Sequence, residues 1–564
     1  LIDIRTYIQQ ALAEAVSDKI RLDRPAELEI PRNAGFGDLS SNVAMHLAKP
    51  LKNAPRKIAD DIVSRLQLDS KLISKVEIAG AGFINFTYAE DYLREAAANI
   101  LQEMEHYGSS DIGKGKRVNL EFVSANPTGP LNIVSARAAA LGDSLKRLMN
   151  FCGYEAKSEF YVNDAGKQIV NLYFSFLIRY AEKLGITGLP FPEGGYHGEY
   201  LRSLANSFEI PKNDALEVDW VVTLELNLKK GDYIRFLENL YIYAKKYLLE
   251  SILSNQQKSL ERVNVIFDNW ILETKIQERE LHIEIKKKLE NKAFLFEKDG
   301  AIFLKTKDFG DDEDRVIWTS DGRPTYFLPD IAYHQDKYDR GFEWLIDIWG
   351  PDHHGYIARM KAALQALGHS PDSFTVIIAQ QVNLLRGGEK VKMSKRAGEI
   401  VTMDELIDEV GADAARFFFL QRKASAHLDF DLDLAVKQSE ENPVFYVQYA
   451  HARICSIERF SQEAGINAEH PIWDKLAHPA EFALIRKMTE FPLTVEICVK
   501  TLEPQRLTVY LGELASSFHS FYQQCRVVTD DKDLSAARLG LCLAVRQVLK
   551  NGLDLLGVSA PEKM

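Results

Sequence analysis

One stretch limits what this chain can fold into more than any other: residues 121–143, EFVSANPTGPLNIVSARAAALGD. It begins at the end of an alternating run, VNLEFV at 118–123, which reads as a strand. Asn126, Pro127, Gly129 and Pro130 break that strand, and from 135 to 150 small and apolar residues recur at helical spacing. Strand, tight loop and helix in that order form a nucleotide-binding unit, because the unpaired backbone N–H groups at the helix start can hold a phosphate. A glycine-bounded loop far along the chain, VKMSKRAG at 391–398, carries two lysines and is read together with this unit.

The rest of the chain is read around that unit. Alternation returns in AIFLKT (301–306), FEWLIDIWG (342–350) and FTVIIAQ (374–380), with the helical IARMKAALQALG (357–368) between the last two. Strand, helix, strand predicts a right-handed parallel crossover. Ligands of such sheets sit at the carboxyl ends of the strands, which puts SANPTGPL and GPDHHGY on the binding rim. Residues 171–296 carry long mixed-charge helical patterns and read as an insertion in this α/β domain, which spans 108–440. Residues 1–107 read as a separate α+β domain: helices at 4–16, 41–47 and 54–66, a turn at 36–38, and a strand, VEIAGAGFINFTY, bent at Gly80 and Gly82. Asn85 on that strand is read as satisfying a neighbouring backbone group. The glycine- and serine-rich HYGSSDIGKGK (106–116) is the linker, and 441–564 is helical throughout.

Composition narrows the class. A chain of 564 residues implies three or four domains, and 46% apolar with 27% charged residues is that of a globular protein. No apolar run is long enough to span a bilayer, and the first residues lack a signal-peptide layout, so the expected compartment is the cytoplasm. The five cysteines are scattered without a CxxC pair, which predicts free, mostly buried thiols and no structural metal. A net charge of −12 leaves a polyanionic partner undecided, because a local stripe of Lys and Arg suffices for phosphate contacts.

Six motifs in one order, SANPTGPL (124–131), YVNDAG (161–166), PTYFLPDIAYH (324–334), GPDHHGY (350–356), KMSKRAG (392–398) and NPVFYVQYAHAR (442–453), make the chain resemble a bacterial arginyl-tRNA synthetase of class I. The resemblance implies a Rossmann-like catalytic domain, an amino-terminal domain that touches the tRNA elbow, and a carboxyl-terminal all-α bundle that binds the anticodon. It implies tRNA(Arg), L-arginine and ATP with Mg2+ as partners, and a monomer without membrane attachment. Lys392 and Lys395, with Met393 and Ser394 between them, would close on the phosphates. Pro130, Asn132, Val134 and Ser135 would meet ATP at the helix start, Asn132 and Ser135 as catalytic donors, while Gly350, Asp352, His353 and His354 would line the nucleotide pocket. The adjacent histidines diverge and are not read as metal ligands.

Recognition of a guanidinium calls for a carboxylate able to accept paired hydrogen bonds. By the same resemblance Asp330 and Tyr326, on one helical face, would meet the guanidinium, with Pro329 in the first helical turn. Glu121 and Asn126 would hold the α-amino end. Tyr446, Gln448, Tyr449, His451 and Arg453 offer stacking planes and hydrogen bonds to unstacked bases. The chain departs from the family at its first signature, which reads His, any residue, Gly, His and is here Asn132, Ile133, Val134, Ser135. Asn and Ser donate hydrogen bonds but cannot carry imidazolium charge, and Val134 fills space that glycine leaves open. The expectation is therefore an ATP-dependent arginine–tRNA ligase. Its alternative is a catalytically impaired paralog that binds arginine or tRNA without efficient ATP chemistry.

Overall fold

A computed structural model describes residues 2–31, 33–209, 233–391 and 401–564. Its centre is a five-stranded parallel sheet in the order Phe374–Ile378, Trp344–Trp349, Arg117–Glu121, Glu155–Val162, Asn269–Leu272. Chain order runs outward from Arg117–Glu121 on one side and resumes on the other, so a switch point lies between Arg117–Glu121 and Trp344–Trp349. The predicted crossover is present: Trp344–Trp349 leads through helix Ile357–Leu367 to its parallel neighbour Phe374–Ile378. Helix Ile133–Phe151 packs on the sheet so closely that a Cβ on Gly142 would meet the Phe122 ring at 2.2 Å.

Two expectations for this domain change. Asn269–Leu272 lies inside the region read as an insertion, yet it is the edge strand of the main sheet; four residues after a long helix carry too little alternation to be read. Ala301–Leu304 pairs instead in a small antiparallel sheet with Leu295–Lys298 and Arg315–Trp318. The insertion proper contains helices Lys167–Lys183, Glu199–Ser207 and Tyr233–Arg262, with a core that includes Leu172, Phe176, Leu201 and Leu248.

The amino-terminal domain has helices Ile4–Val16, Val43–Leu51 and Pro55–Arg65 against a four-stranded antiparallel sheet. The predicted bent strand is a hairpin of Ile73–Ala79 and Phe83–Tyr88, reversed through Gly80 and Gly82 at φ of 55° and 131°. Buried Asn85 is satisfied by a side chain rather than by backbone: Ser40 Oγ donates to its Oδ1 at 2.7 Å.

Helices Pro443–Glu463, Pro479–Thr489, Phe491–Thr501, Gln505–Gln524 and Lys532–Leu556 build the carboxyl-terminal bundle. Helix Glu90–Glu103 docks on it, with Arg94 donating to the Leu476 carbonyl, and Asn551 Nδ2 donates to the Tyr107 carbonyl just beyond that helix. Bundle and catalytic domain share one core. Buried Arg416 joins them by donating to the carbonyls of Leu556 (2.8 Å) and Val263 (2.6 Å) and to the Asp143 carboxylate (2.6 Å). All five cysteines are free and buried. Among the described residues no helix is long and apolar enough to cross a membrane.

Candidate active site

The strand Arg117–Glu121 ends in a strained turn. Val123 and Ser124 have φ of +68° and +37°, which is rare for any non-glycine residue and rarer for a β-branched one. The turn is held because Ser124 Oγ donates to Glu121 Oε1 at 2.9 Å and accepts the Tyr161 N–H at 3.1 Å. The Pro/Gly loop that follows is strapped by the insertion: the Tyr200 hydroxyl donates to the Thr128 carbonyl, and Gln256 Nε2 donates to the Gly129 carbonyl at 2.9 Å. Asn126 Nδ2 donates to Gln168 Oε1 at 2.6 Å, and Pro130 is exposed beside them.

Asn132 is the N-cap of helix Ile133–Phe151, its Oδ1 accepting the Ser135 N–H at 2.9 Å. One amide atom is thereby committed to the helix, leaving Nδ2 and the Ser135 hydroxyl as side-chain donors at its mouth. Val134 is 37% exposed on the same first turn. The Met403 N–H donates to the Leu131 carbonyl at 2.8 Å and Asn132 bridges Thr402, so the segment returning from the lysine loop lies against the signature. Lys392, Met393, Ser394 and Lys395 themselves lie outside the described residues.

Beneath this mouth is a row of acids. Glu159, Glu121 and Asp347 are register partners on three adjacent parallel strands, and helix Phe327–Asp339 with the residue after it supplies the countercharges. Lys337 Nζ donates to Glu121 Oε2 at 2.6 Å and to Asp347 Oδ1 at 3.2 Å. Arg340 forks onto Glu159 at 2.6 and 2.8 Å, and the Tyr333 hydroxyl donates to Glu159 at 2.8 Å. His334 Nε2 donates to Asp347 Oδ2 at 2.9 Å, while its Nδ1 meets the Asp330 carbonyl at 2.8 Å and carboxylate at 3.2 Å. Both ring nitrogens face acceptors, as suits an imidazolium.

These contacts set the charge states. Burial and the Lys337 ammonium push the His334 imidazole down, but Asp347 and Asp330 prevail and hold it up at about 10. Burial likewise lowers Lys337, and Asp347 with Glu121 outweighs it, keeping the ammonium charged. For Glu121, burial above all and then the Asp347 carboxylate push the acid upward against the pull of Lys337. Burial, followed by the adjoining Asp330 carboxylate, raises the Tyr356 phenol.

The structure therefore brings Glu121 and Asp330 to one site at the switch point and leaves Tyr326 exposed at the start of the helix that carries Asp330. The helix starts at Phe327, since Phe327 and Leu328 fill the core, which leaves Tyr326 as a cap residue 90% exposed to solvent. The phenol that meets Asp330 is that of Tyr356, from the neighbouring element. Pro329 sits in the first turn as expected. Gly350 caps the short 3-10 helix Pro351–Tyr356, which presents Asp352, His353 and His354 on the exposed rim, with the His353 ring 6.2 Å from that of Trp349. Among the described residues no three His, Cys, Asp or Glu side chains are grouped to hold a metal.

In the bundle the predicted base-contacting residues divide. Gln448 and His451 are buried and tie down the chain end: Gln448 Nε2 donates to Asp413 at 2.8 Å and the Ser559 carbonyl at 2.9 Å, and His451 Nδ1 donates to the Pro561 carbonyl at 2.9 Å. Tyr446 and Tyr449 lie around His519, ring centroids 5.1 and 6.0 Å away. Exposed Arg453 lies 5.2 Å over the Tyr522 ring, lining a surface hollow of about 540 Å³ with Ser456, Phe460 and Arg526.

His334, Lys337, Asp347, Glu159 and Tyr356 complete the cluster and are not among the site residues read from the motifs. A signal was present: Asp330, His334 and Lys337 recur at helical spacing beside the apolar Leu328, Ile331 and Ala332.

Comparisons with known proteins agree along the whole chain. The family model described as "Arginyl tRNA synthetase N terminal domain" matches residues 3–88, that of "tRNA synthetases class I (R), catalytic domain" residues 96–429, and that of "DALR anticodon binding domain" residues 447–564. The chain is 44% identical to the arginine–tRNA ligase of Desulforamulus reducens, covering 100% of this chain and 99% of that protein. It is 46% identical to the arginine–tRNA ligase of Heliobacterium modesticaldum over 96% of this chain and 94% of that one. Among solved structures, Thermus thermophilus arginyl-tRNA synthetase shares the fold, with a TM-score of 0.77 at 21% identity over 99% of this chain and 100% of the other.

Proposed function

The chain belongs to the arginyl-tRNA synthetase family and is an arginine–tRNA ligase, and from that premise we propose how its residues divide the work. The reaction has two displacements. The carboxylate of arginine attacks the α-phosphorus of ATP and expels pyrophosphate; a terminal ribose hydroxyl of tRNA(Arg) then attacks the activated carbonyl and expels AMP. ATP enters as its Mg2+ complex, the ion taking its oxygens from the phosphates.

Asp330 accepts the guanidinium and Glu121 the α-ammonium. The observation that carries this assignment is the convergence of these two carboxylates at the switch point of the sheet, both bonded into the cluster around Asp347. The guanidinium and the α-ammonium of arginine thus each meet a carboxylate, one at either end of this cluster. Asn132 Nδ2 and the Ser135 hydroxyl donate to the α-phosphate, Val134 and the Gly350–His354 rim border the nucleoside, and Lys392 and Lys395 complete the phosphate contacts. Tyr449 and Arg453 stack on anticodon bases beside the Tyr522 hollow. The protein works as a monomer in the cytoplasm, which sedimentation and fractionation test directly.

Calorimetry of arginine binding tests the pocket. Asp330→Asn should weaken affinity by about 1.5–3 kcal/mol, the contribution of a charge-assisted hydrogen bond. Unchanged affinity would remove Asp330 from the site.

A further inference from the structure

We propose that His334 and Lys337 are positioning residues that fix the spacing between the two arginine-facing carboxylates and thereby measure the length of the amino-acid substrate. The inference rests on the assignment of Glu121 and Asp330 to the ends of arginine. A continuous ladder joins them. It begins at Asp330, whose carbonyl (2.8 Å) and carboxylate (3.2 Å) both face His334 Nδ1, and passes from His334 Nε2 to Asp347 (2.9 Å), from Asp347 to Lys337 Nζ (3.2 Å), and from Lys337 to Glu121 (2.6 Å). The three inner side chains are 3%, 1% and 0% exposed for His334, Asp347 and Lys337, so water does not compete for the two contacts among them.

Each rung is a contact between opposite charges, and each inner residue spends its donors or acceptors on both neighbours. Moving one outer carboxylate would therefore break a buried charged contact, which costs far more than shifting an exposed side chain. A ladder of that stiffness holds its two ends at one separation. A guanidino acid whose ammonium and guanidinium are one methylene nearer or farther apart, about 1.25 Å along an extended chain, must give up one of its two charged contacts.

The competing explanation is that this buried network only docks helix Phe327–Asp339 on the sheet. The molecule contains a built-in comparison. Arg340, on the same side of the site, forks onto Glu159 in the adjacent strand at 2.6 and 2.8 Å, docks the end of the same helix, and is bonded to neither Glu121 nor Asp330 in the ladder. Loss of Arg340 should weaken docking without altering the ruler.

The test measures binding of arginine, of its homologue one methylene longer and of its homologue one methylene shorter by calorimetry, together with kcat and KM for arginine in tRNA-dependent pyrophosphate exchange. His334→Gln should weaken arginine binding about tenfold or more, raise KM with kcat within about threefold, and compress the preference for arginine over both homologues by about fivefold. Arg340→Met should lower the melting temperature and leave that preference within about twofold. If His334→Gln does not fold, Asp347→Asn, nearly isosteric and removing the central charge, carries the same expectation. Unchanged preference in the folded ladder variant, or equal compression in Arg340→Met, overturns the proposal. Asp330→Asn separates the two levels: if it leaves arginine affinity intact, the pocket assignment fails and the ladder with it; if it weakens affinity while His334→Gln does not, the ladder alone fails.

Discussion

Restoring the imidazoles of the first signature should accelerate adenylation. The perturbation is the triple change Asn132→His, Val134→Gly, Ser135→His. Asn132 Oδ1 is occupied by the Ser135 N–H at 2.9 Å, so the side-chain donors of the present signature are an amide N–H and a hydroxyl, both neutral, beside the backbone N–H groups of the helix mouth. One preorganised donor is worth roughly 100- to 1000-fold in rate, about 2.7–4 kcal/mol, and two donors acting on one phosphate do not multiply. The cost to the fold is smaller. Losing the Asn132 cap removes about 1 kcal/mol, and glycine for valine in the first turn a few tenths. Val134 is 37% exposed, so little burial is forfeited. A loss of about 1–1.5 kcal/mol leaves a protein of ordinary stability, about 5–15 kcal/mol, folded. Pyrophosphate exchange with arginine and cognate tRNA should therefore rise about a hundredfold, with a lower KM for ATP because the glycine opens the first turn. If the unmodified enzyme already turns over at about 1–10 per second and the triple change does not raise that rate, the reasoning is wrong and this signature holds ATP in another way.

Other outcomes are equally specific. Tyr449→Ala with Arg453→Ala should lower tRNA affinity at least tenfold, since base stacking contributes about 1–3 kcal/mol per base, while arginine affinity stays constant; equal tRNA binding in filter assays would remove these residues from the interface. Gly557→Ala should destabilise the protein by about 2–4 kcal/mol: the glycine has φ +68° and its Cβ would meet Arg416 Nη2 at 2.2 Å, displacing the guanidinium that joins catalytic domain and bundle. An unshifted denaturant midpoint would refute that. The pH dependence follows from His334, raised in the folded protein to about 10 from an unfolded value of about 6.5. Its stabilisation is complete below the lower value and is lost as pH rises through the upper one. The melting temperature should fall more steeply from pH 8 to about 10 in the wild type than in His334→Gln; parallel profiles would show that the imidazole is not charged in the native state.

The order of domains, the parallel crossover and the strand–loop–helix unit at 117–151 were all legible in the sequence, because each depends on local periodicity or on glycine and proline at a turn. Helix Ile4–Val16 has the bounds its amphipathic pattern predicts, and residues 133–151 continue the helix expected from 135. Local pattern also carries the limits of what was read. Asn269–Leu272 is a strand because Glu155–Val162 offers it an edge, and four residues cannot announce that by themselves. Tyr326 and Asp330 are four apart, which suggests one face, but the packing of Phe327 and Leu328 sets the helix start and leaves the tyrosine in solvent. Gln448 and His451 look like base readers until the chain end folds back and takes their hydrogen bonds. The candidate arginine site shows the division most plainly. Its outer residues, Glu121 and Asp330, stand in recognisable motifs, whereas the rungs between them come from a strand and a helix whose register only the tertiary fold decides: Asp347 meets Glu121 because two parallel strands align there, and Lys337 reaches both because its buried charge must find carboxylates rather than water.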